Sequence, residues 1–175
     1  MDYLQNYSSP YGTITMASNG LQLIGLWFKG QKYFASTLQS PYQTKDLKIF
    51  QQTIKWLDQY FAGKLAPFTP PLLLRTSDFQ KAVAQILLKI PYGKTMTYGK
   101  IAKILAYQKH LSSMAAQAVG QAVGRNPIAL IIPCHRVLGS AGKLTGYAAG
   151  ISLKRKLLAA EHMNYRFNSR YTRTE

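Results

Sequence analysis

The segment "TYGKIAKILAYQKHLSSMAAQAVGQAVGRN", residues 97–126, decides the fold of the second half of the chain. Residues 97–106 are predicted to form a short helix, and "YQKHLS" predicts a turn. Residues 113–126 predict a second helix that ends where Gly124, Asn126 and Pro127 cluster. Two short helices joined by a tight turn in a basic domain are typical of helix-turn-helix DNA binding, although helical hairpins also occur in unrelated folds.

The second predicted helix has an unusually thin surface, because six of its residues are small: Ala115, Ala116, Ala118, Gly120, Ala122 and Gly124. Such a surface permits close packing against another helix. It also permits a close approach to the narrow minor groove of DNA, which favours small side chains. Both interpretations remain open at this point.

The first half of the chain predicts a small α/β unit. Residues 11–18 and 21–28 have the pattern of two strands, and Asn19-Gly20 between them is a strong hairpin signal. Residues 47–61 follow with the apolar spacing of a helix that buries one face. This half contains neither His nor Cys, so we expect no catalytic set and no structural zinc site here.

The proline-rich stretch "APFTPPLLLRTS", residues 66–77, predicts a domain boundary. Ser77 and Gln80 have the spacing of a capping box, which begins a new helix. We therefore expect an N-terminal α/β domain over residues 1–75. A C-terminal domain with a basic tail is expected over residues 76–175.

Downstream of the predicted helix pair lies Cys134, the only cysteine in the 175 residues. "IALII", residues 128–132, predicts a short buried strand that leads to Pro133 and Cys134. The glycines at 139, 142 and 146 then predict a loop or wing. Residues 152–162 predict a closing helix with Leu153, Leu157 and Leu158 inward and Glu161 at its end.

The pair Cys134-His135 is a candidate nucleophile with its base. A lone buried cysteine is most often an inert small apolar residue. A reactive thiol needs a base or a positive neighbour to supply thiolate near neutral pH, and the adjacent imidazole of His135 can serve. A carboxylate behind the imidazole would fix its tautomer and stabilise its charged form. Of the acids in the second half, Asp78, Glu161 and Glu175, we choose Glu161.

The charge of the chain predicts a polyanionic partner. Its 22 Lys and Arg against 6 Asp and Glu give a formal net charge of +16. Residues 1–75 carry seven basic and three acidic residues, a net of +4, and residues 76–175 carry fifteen and three, a net of +12. Such an excess costs self-repulsion unless phosphates neutralise it, so nucleic acid bound mainly by the second half is the first expectation.

The chain is expected to be a soluble protein of a reducing intracellular compartment. One cysteine allows no intramolecular disulfide, and the first residues lack the order of a secretory signal. No apolar run approaches the roughly 18 residues that a membrane helix needs, so no membrane partner is expected.

Three blocks, "IPYGKTMTYGKIA", "AAQAVGQAVGRNPI" and "NPIALIIPCHRVLGSAGKLTGYAAGISLKRKLLAAE", resemble the O6-alkylguanine-DNA alkyltransferase family, also called methylated-DNA–protein-cysteine methyltransferases. The similarity covers residues 76–162 densely and the first half in outline. It implies an N-terminal α/β domain of ribonuclease-H-like shape and a mainly α, winged helix-turn-helix C-terminal domain. It also implies a cytoplasmic protein, or a nuclear one in a eukaryote, that acts as a monomer.

The resemblance also implies an activity, direct-reversal DNA repair. Family members bind duplex DNA through the minor groove, rotate O6-alkylguanine out of the stack and transfer its alkyl group irreversibly to the cysteine, with O4-alkylthymine as a possible second substrate. This chemistry needs neither metal nor cofactor. With no second thiol to reverse the transfer, each molecule is expected to act once.

Roles for individual residues follow from the same resemblance. Cys134 is the alkyl acceptor, His135 the base acting through a water, Glu161 the carboxylate that orients it, and Asn126 part of their support. Tyr98 would donate its hydroxyl to N3 of the flipped guanine. The base pocket is expected from Val137, Tyr147, Ala148 and Ala149. The expected DNA contacts are Ala115, Ala116, Gln117, Ala118, Gly120, Arg125 and Arg136, the last either bracing the structure or contacting phosphate.

Two positions depart from the family pattern. Gln117 stands where the family usually has an arginine that fills the space left by the flipped base, and Ala149-Gly150 stands where it has Gly-Gly. Weaker flipping and a different pocket size are therefore expected.

Two other classes of function remain alternatives. A non-catalytic winged-helix binder of alkylated DNA would explain the charge and the helices but not the Cys-His pair. A cysteine hydrolase would use the same pair but would turn over repeatedly.

Overall fold

The N-terminal half forms a mixed four-stranded sheet covered by one helix. The computed structural model describes the backbone of residues 1–164 and the side chains of residues 1–162. Strands β1 (Asp2–Ser9), β2 (Gly12–Ser18), β3 (Leu23–Phe28) and β4 (Tyr42–Thr44) lie in the order β3-β2-β1-β4. β4 pairs parallel to β1, and the other neighbours are antiparallel. Helix α1 (Lys48–Phe61) packs on β1 and β2.

The hairpin and helix predicted in this half are confirmed, and two strands were missed. β2 and β3 are joined through residues 19–22, where the Asn19 side chain accepts backbone hydrogen bonds from Leu21 and Gln22. Gly20 has a φ of +104°, a conformation that glycine adopts without steric cost. β1 and the short exposed β4 were not predicted, because neither has a marked alternation of buried and polar residues.

The C-terminal half is built on three packed helices, α2 (Asp78–Leu87), α3 (Tyr98–Gln108) and α4 (Ala116–Gly124). The capping box that begins α2 is confirmed: the Ser77 hydroxyl accepts from the Gln80 amide, and the Gln80 side chain accepts from the Ser77 amide, both at 3.2 Å. The short strands β5 (Met96–Thr97) and β6 (Val137–Leu138) pair in parallel. Helix α5 (Ile151–Asn164) closes the domain.

The helix-turn-helix has somewhat different limits from those predicted. α3 continues through Tyr107 and Gln108, which the sequence pattern placed in the turn. α4 begins only at Ala116, because Ala115 is its extended N-cap residue and has no side chain that could satisfy the first amides.

The predicted strand over residues 128–132 is wrong, although all five residues are buried. Only Ile128 forms a bridge, with Leu26 of β3: the Leu26 amide donates to Pro127 at 2.9 Å, and the Ala129 amide donates to Leu26 at 2.9 Å. Leu130 then takes a φ of +67°, which ends the extended path. This short pairing joins the C-terminal half to the edge of the N-terminal sheet.

One hydrophobic core runs through both halves, from Ile14 and Phe50 of the N-terminal domain to Ile101 and Leu157 of the C-terminal domain. The expectation that Glu161 ends the last helix is wrong, since α5 extends to Asn164 and Glu161 is buried within it. The predicted basic tail and Glu175 lie outside the described residues. Within residues 1–164, the longest helices have 14 residues and none is suited in length and apolarity to cross a membrane.

Candidate active site

The side chain of Asn126 fixes the chain just before the cysteine. Its amide nitrogen donates to the carbonyls of Ile132 at 2.8 Å and Ile128 at 3.2 Å, while its oxygen accepts from the Ile128 amide at 3.1 Å. The loop that follows α4 is thereby closed on itself. It leads into a single 3-10 turn, Cys134–Arg136, which packs against α5.

The Cys134 thiol is nearly buried, with 6% of the residue exposed. Burial raises the pKa of the thiol above its ordinary value. The Asn126 side chain, the charge of Lys154 and the Tyr147 hydroxyl oppose that rise, but do not cancel it. The thiol therefore needs a base to become a nucleophile at neutral pH.

His135 and Glu161 form a buried pair beside the cysteine. His135 Nε2 lies 2.5 Å from Glu161 Oε1, and both residues are almost fully buried. Burial lowers the pKa of His135, an effect that Glu161 only partly offsets. Neutral imidazole can bind the carboxylate only through a protonated Nε2, so Nδ1 keeps its lone pair. Within the described part of the chain Nδ1 has no hydrogen-bond partner, which leaves it available as a base.

Arg136 is a second, charged partner of the same carboxylate. Its Nε donates to Glu161 Oε2 at 2.9 Å, its second terminal nitrogen donates to Oε1 at 3.0 Å, and its first donates to the Ile90 carbonyl at 2.8 Å. Burial raises the pKa of Glu161, but His135 and Arg136 outweigh burial and lower that pKa to about 2. Arg136 is 8% exposed, and its guanidinium is engaged by Glu161 and the Ile90 carbonyl.

The N-terminal domain contributes a hydrogen bond to this site, although no catalytic set was expected in that domain. The Tyr60 hydroxyl donates to Glu161 Oε1 at 3.0 Å across a separation of 101 residues. No local motif marks Tyr60, because this hydrogen bond forms only where the end of α1 approaches α5 in the folded protein.

A cavity of about 890 Å³ lies over the cysteine and is lined by both domains. Nine predicted site residues line it: Tyr98, Ala116, Gln117, Gly120, Arg125, Asn126, Cys134, Tyr147 and Ala148. The loop after β3 adds Gln31, Lys32 and Tyr33, which the sequence did not predict. This loop is attached to the cavity wall by a hydrogen bond from the Lys32 amide to the Ala148 carbonyl at 3.0 Å.

The remaining predicted site residues lie outside the cavity lining. Ala115 is exposed, whereas Ala118 and Ala149 are half-buried. Val137 is fully buried, and its carbonyl accepts from Lys154. His135, Arg136 and Glu161 are buried and do not line the cavity. In the described part of the chain no three His, Cys, Asp or Glu residues come together as a metal site.

The chain has two domains, a helix-turn-helix and a buried Cys-His-Glu set next to a cavity. These features are typical of DNA-binding proteins that react through a cysteine. Comparison with known proteins identifies the family. Residues 3–74 match the 6-O-methylguanine DNA methyltransferase ribonuclease-like domain, and residues 78–163 match the 6-O-methylguanine DNA methyltransferase DNA binding domain. The chain therefore belongs to the 6-O-methylguanine DNA methyltransferase family, and its two-domain architecture is the one predicted.

Individual relatives agree with this assignment. The methylated-DNA–protein-cysteine methyltransferase of Mycobacterium tuberculosis H37Rv is 44% identical over 161 residues, which cover 92% of this chain and 93% of the relative. The protein of the same name from Methanosarcina barkeri is 43% identical, covering 94% of this chain and 99% of the relative.

Solved structures show the same likeness. The crystal structure of M. tuberculosis OGT in complex with DNA has a TM-score of 0.79 and 42% identity, over 93% of this chain and 94% of that one. The O6-methylguanine DNA methyltransferase from Methanococcus jannaschii has a TM-score of 0.62 at 27% identity, over 98% of this chain and 100% of that one.

Proposed function

We propose that this protein repairs alkylated DNA by moving the alkyl group of O6-alkylguanine onto Cys134. The observation that carries the proposal is the position of Cys134: it lines a cavity of about 890 Å³, and the next residue, His135, pairs with Glu161 at 2.5 Å between nitrogen and oxygen. A cavity of that size has room for a purine base with its substituent.

The transfer is a displacement at saturated carbon. The sulfur forms a bond to the alkyl carbon while the bond from that carbon to guanine O6 breaks, and the electron pair leaves on the base. The thiol proton goes to His135, directly or through a water, and Glu161 stabilises the resulting imidazolium. Tyr98 also lines the cavity, and in this proposal its hydroxyl donates to the leaving guanine; burial raises the pKa of Tyr98, which keeps that hydroxyl protonated.

Duplex DNA is the partner that the charge and the small-residue helix favour. Residues 76–175 carry a net +12, and α4 presents Ala116, Gln117 and Gly120 at the mouth of the cavity. We propose that α4 enters the minor groove and that the target base rotates into the cavity, which costs a few kcal/mol that phosphate contacts must offset. The protein is proposed to act as a monomer in the cytoplasm, or in the nucleus of a eukaryote, where the thiol stays reduced.

The test is intact mass spectrometry after incubation with a duplex that contains O6-methylguanine. We expect the mass of one methyl group on Cys134, a plateau at one equivalent with excess duplex, and no transfer to Cys134→Ala, which should still bind the duplex. Repeated turnover would identify a cysteine hydrolase instead. Binding without any labelling would identify a non-catalytic binder of alkylated DNA.

A further inference from the structure

The Tyr60 side chain is held in place by an aromatic cluster. Its ring stacks on Trp56 with centroids 5.4 Å apart and meets Phe61 and Tyr92 edge-on at 5.2 Å and 6.1 Å. Only 8% of Tyr60 is exposed. A ring fixed by three neighbours has little rotational freedom, so the direction of its hydroxyl is set by the packing of α1.

The Tyr60 hydroxyl and the His135 imidazole share one oxygen of Glu161. Oε1 accepts from Tyr60 at 3.0 Å and lies 2.5 Å from His135 Nε2. Tyr60 Oη is also 3.4 Å from that same nitrogen. The shorter distance to the carboxylate indicates that the hydroxyl acts mainly as a donor to Glu161.

We propose that Tyr60 is a positioning residue, through which the N-terminal domain holds Glu161 Oε1 in place and limits how strongly that carboxylate retains the proton of His135. The physical reason is competition for one acceptor. Each hydrogen bond donated to Oε1 draws negative charge away from the imidazole, so the carboxylate stabilises imidazolium less. This inference rests on the proposed function, in which His135 takes the thiol proton.

Other groups also act on the same pair. The Arg136 guanidinium and the Gly93 amide donate to Glu161, with the amide at 3.3 Å from Oε2. The charge of Lys154 acts on His135, and the phenol of Tyr147 interacts electrostatically with Glu161. Tyr92 contacts both Arg136 and Tyr60 through its ring. A Tyr60→Phe substitution keeps all of these groups and removes only one donor.

The primary experiment follows the titration of His135 by NMR in protein labelled at its three histidines. Removal of the donor in Tyr60→Phe should raise the pKa of His135 by about half a pH unit, somewhat less than one ordinary hydrogen bond can supply. Replacement of Tyr60 by 3-fluorotyrosine keeps the shape and strengthens the donor, so it should lower that pKa. This second variant also tests the proposal if Tyr60→Phe fails to fold.

The matched control is Tyr7→Phe. It removes another tyrosine-to-carboxylate hydrogen bond of the N-terminal domain, from Tyr7 to Asp58 of α1 at 2.7 Å, which involves neither His135 nor Glu161, and it keeps the ring that stacks on Phe61. His135 should titrate in this variant as it does in the wild type. An unchanged His135 pKa in both Tyr60 variants, or the same change in Tyr7→Phe, would overturn the proposal.

Alkyl transfer gives the second measurement. The substrate is free O6-benzylguanine, which requires no base flipping. In Tyr60→Phe the acidic limb of the pH–rate profile should shift to higher pH, so that the rate at a given pH on that limb falls about threefold. An equal loss at every pH would indicate a structural role only and would contradict the inference. A wild-type protein that does not alkylate Cys134 would refute the proposed function, while the NMR titration would still decide the role of Tyr60.

Discussion

Lys154 Nζ of α5 donates to the Val137 carbonyl at 2.5 Å, and both residues are completely buried. The same ammonium reaches the carbonyls of Thr145 at 3.3 Å and Gly146 at 3.5 Å. One charged side chain therefore ties both ends of the loop between the cysteine turn and Tyr147. Its positive charge also acts on the Cys134 sulfur, where it favours the thiolate.

Replacement of Lys154 by Met should slow alkylation of Cys134. Burial lowers the pKa of Lys154 to about 8, so the ammonium is still charged at pH 7. Without this charge the pKa of Cys134 should rise further, and we expect a roughly tenfold slower reaction with free O6-benzylguanine at pH 7. The measurement is the pH dependence of that reaction. The control Lys156→Met lies on the exposed side of the same helix, and equal effects of the two variants would contradict this role for Lys154.

Glu161→Gln should lower both the stability and the transfer rate. Arg136 would remain buried without its anion, at a cost of about 3 kcal/mol in the free energy of unfolding, and imidazolium would lose its stabilising carboxylate. Chemical denaturation measures the first effect and single-turnover labelling the second. Asp78→Asn is the control, because the Asp78 side chain is fully exposed and forms a surface ion pair with Lys81 at 3.6 Å. Transfer at the wild-type rate in folded Glu161→Gln would show that the carboxylate is misassigned.

The free energy of unfolding of the wild-type protein should decrease at acidic pH because of the Glu161 carboxylate. The pKa of Glu161 is lowered from 4.5 to about 2 in the folded protein, so the unfolded chain takes up the proton first as the pH falls. The contribution of Glu161 to the free energy of unfolding is fully present above about pH 4.5, and it is lost between about pH 4.5 and pH 2. Glu161→Gln should show a shallower loss of stability over this range in denaturation curves measured at several pH values. Parallel wild-type and variant curves would contradict the linkage.

Duplex binding should weaken steeply with salt. Each phosphate neutralised contributes about −0.9 to the slope of log affinity against log salt. Arg125 is exposed at the cavity, so Arg125→Ala should reduce the magnitude of that slope by about one. Lys64→Ala, an exposed position of the N-terminal domain, should leave the slope unchanged. Fluorescence anisotropy over a salt series measures the affinity for the duplex. An affinity that does not change with salt would show that DNA phosphate is not the partner of the positive charge.

Gln117→Arg should accelerate the repair of duplex DNA. Gln117 is exposed in the first turn of α4 at the cavity, and it lacks the cation that the negative potential of the minor groove attracts. A gain of about fivefold, or about 1 kcal/mol, is expected for duplex repair but not for free O6-benzylguanine. Gln117→Ala should slow duplex repair selectively.

The control for the added charge is Gln121→Arg, one helical turn further along the same exposed side of the cavity. Rates of transfer from duplex and from free base are measured for all three variants. Equal acceleration by both arginines would mean that charge alone helps DNA binding. Equal effects on duplex and free base would mean that Gln117 shapes the pocket.

Local signals in the sequence determined most of the elements of this protein. Ser77 and Gln80 begin α2 as predicted, and Asn19-Gly20 turns the hairpin, because capping and turn chemistry depend on residues three or four positions apart. The sequence "PCHRV" also predicted a nucleophilic cysteine with an adjacent base, since the two are neighbours in the chain, and these roles stay a prediction. The strand predicted over residues 128–132 failed because apolar runs look alike in strands and in buried loops.

Tertiary structure alone decided how the site is completed. Tyr60 reaches Glu161 across 101 residues, and Lys154 places a charge on the buried face of α5, where helical periodicity predicts an apolar side chain. Leu26 of β3 pairs with residues 127–129, and the loop after β3 brings Lys32 to the cavity wall, where its amide donates to the Ala148 carbonyl. Such contacts depend on how separate elements pack, and their energies come from burial and from hydrogen bonds between distant residues, which leave no periodic trace in the sequence.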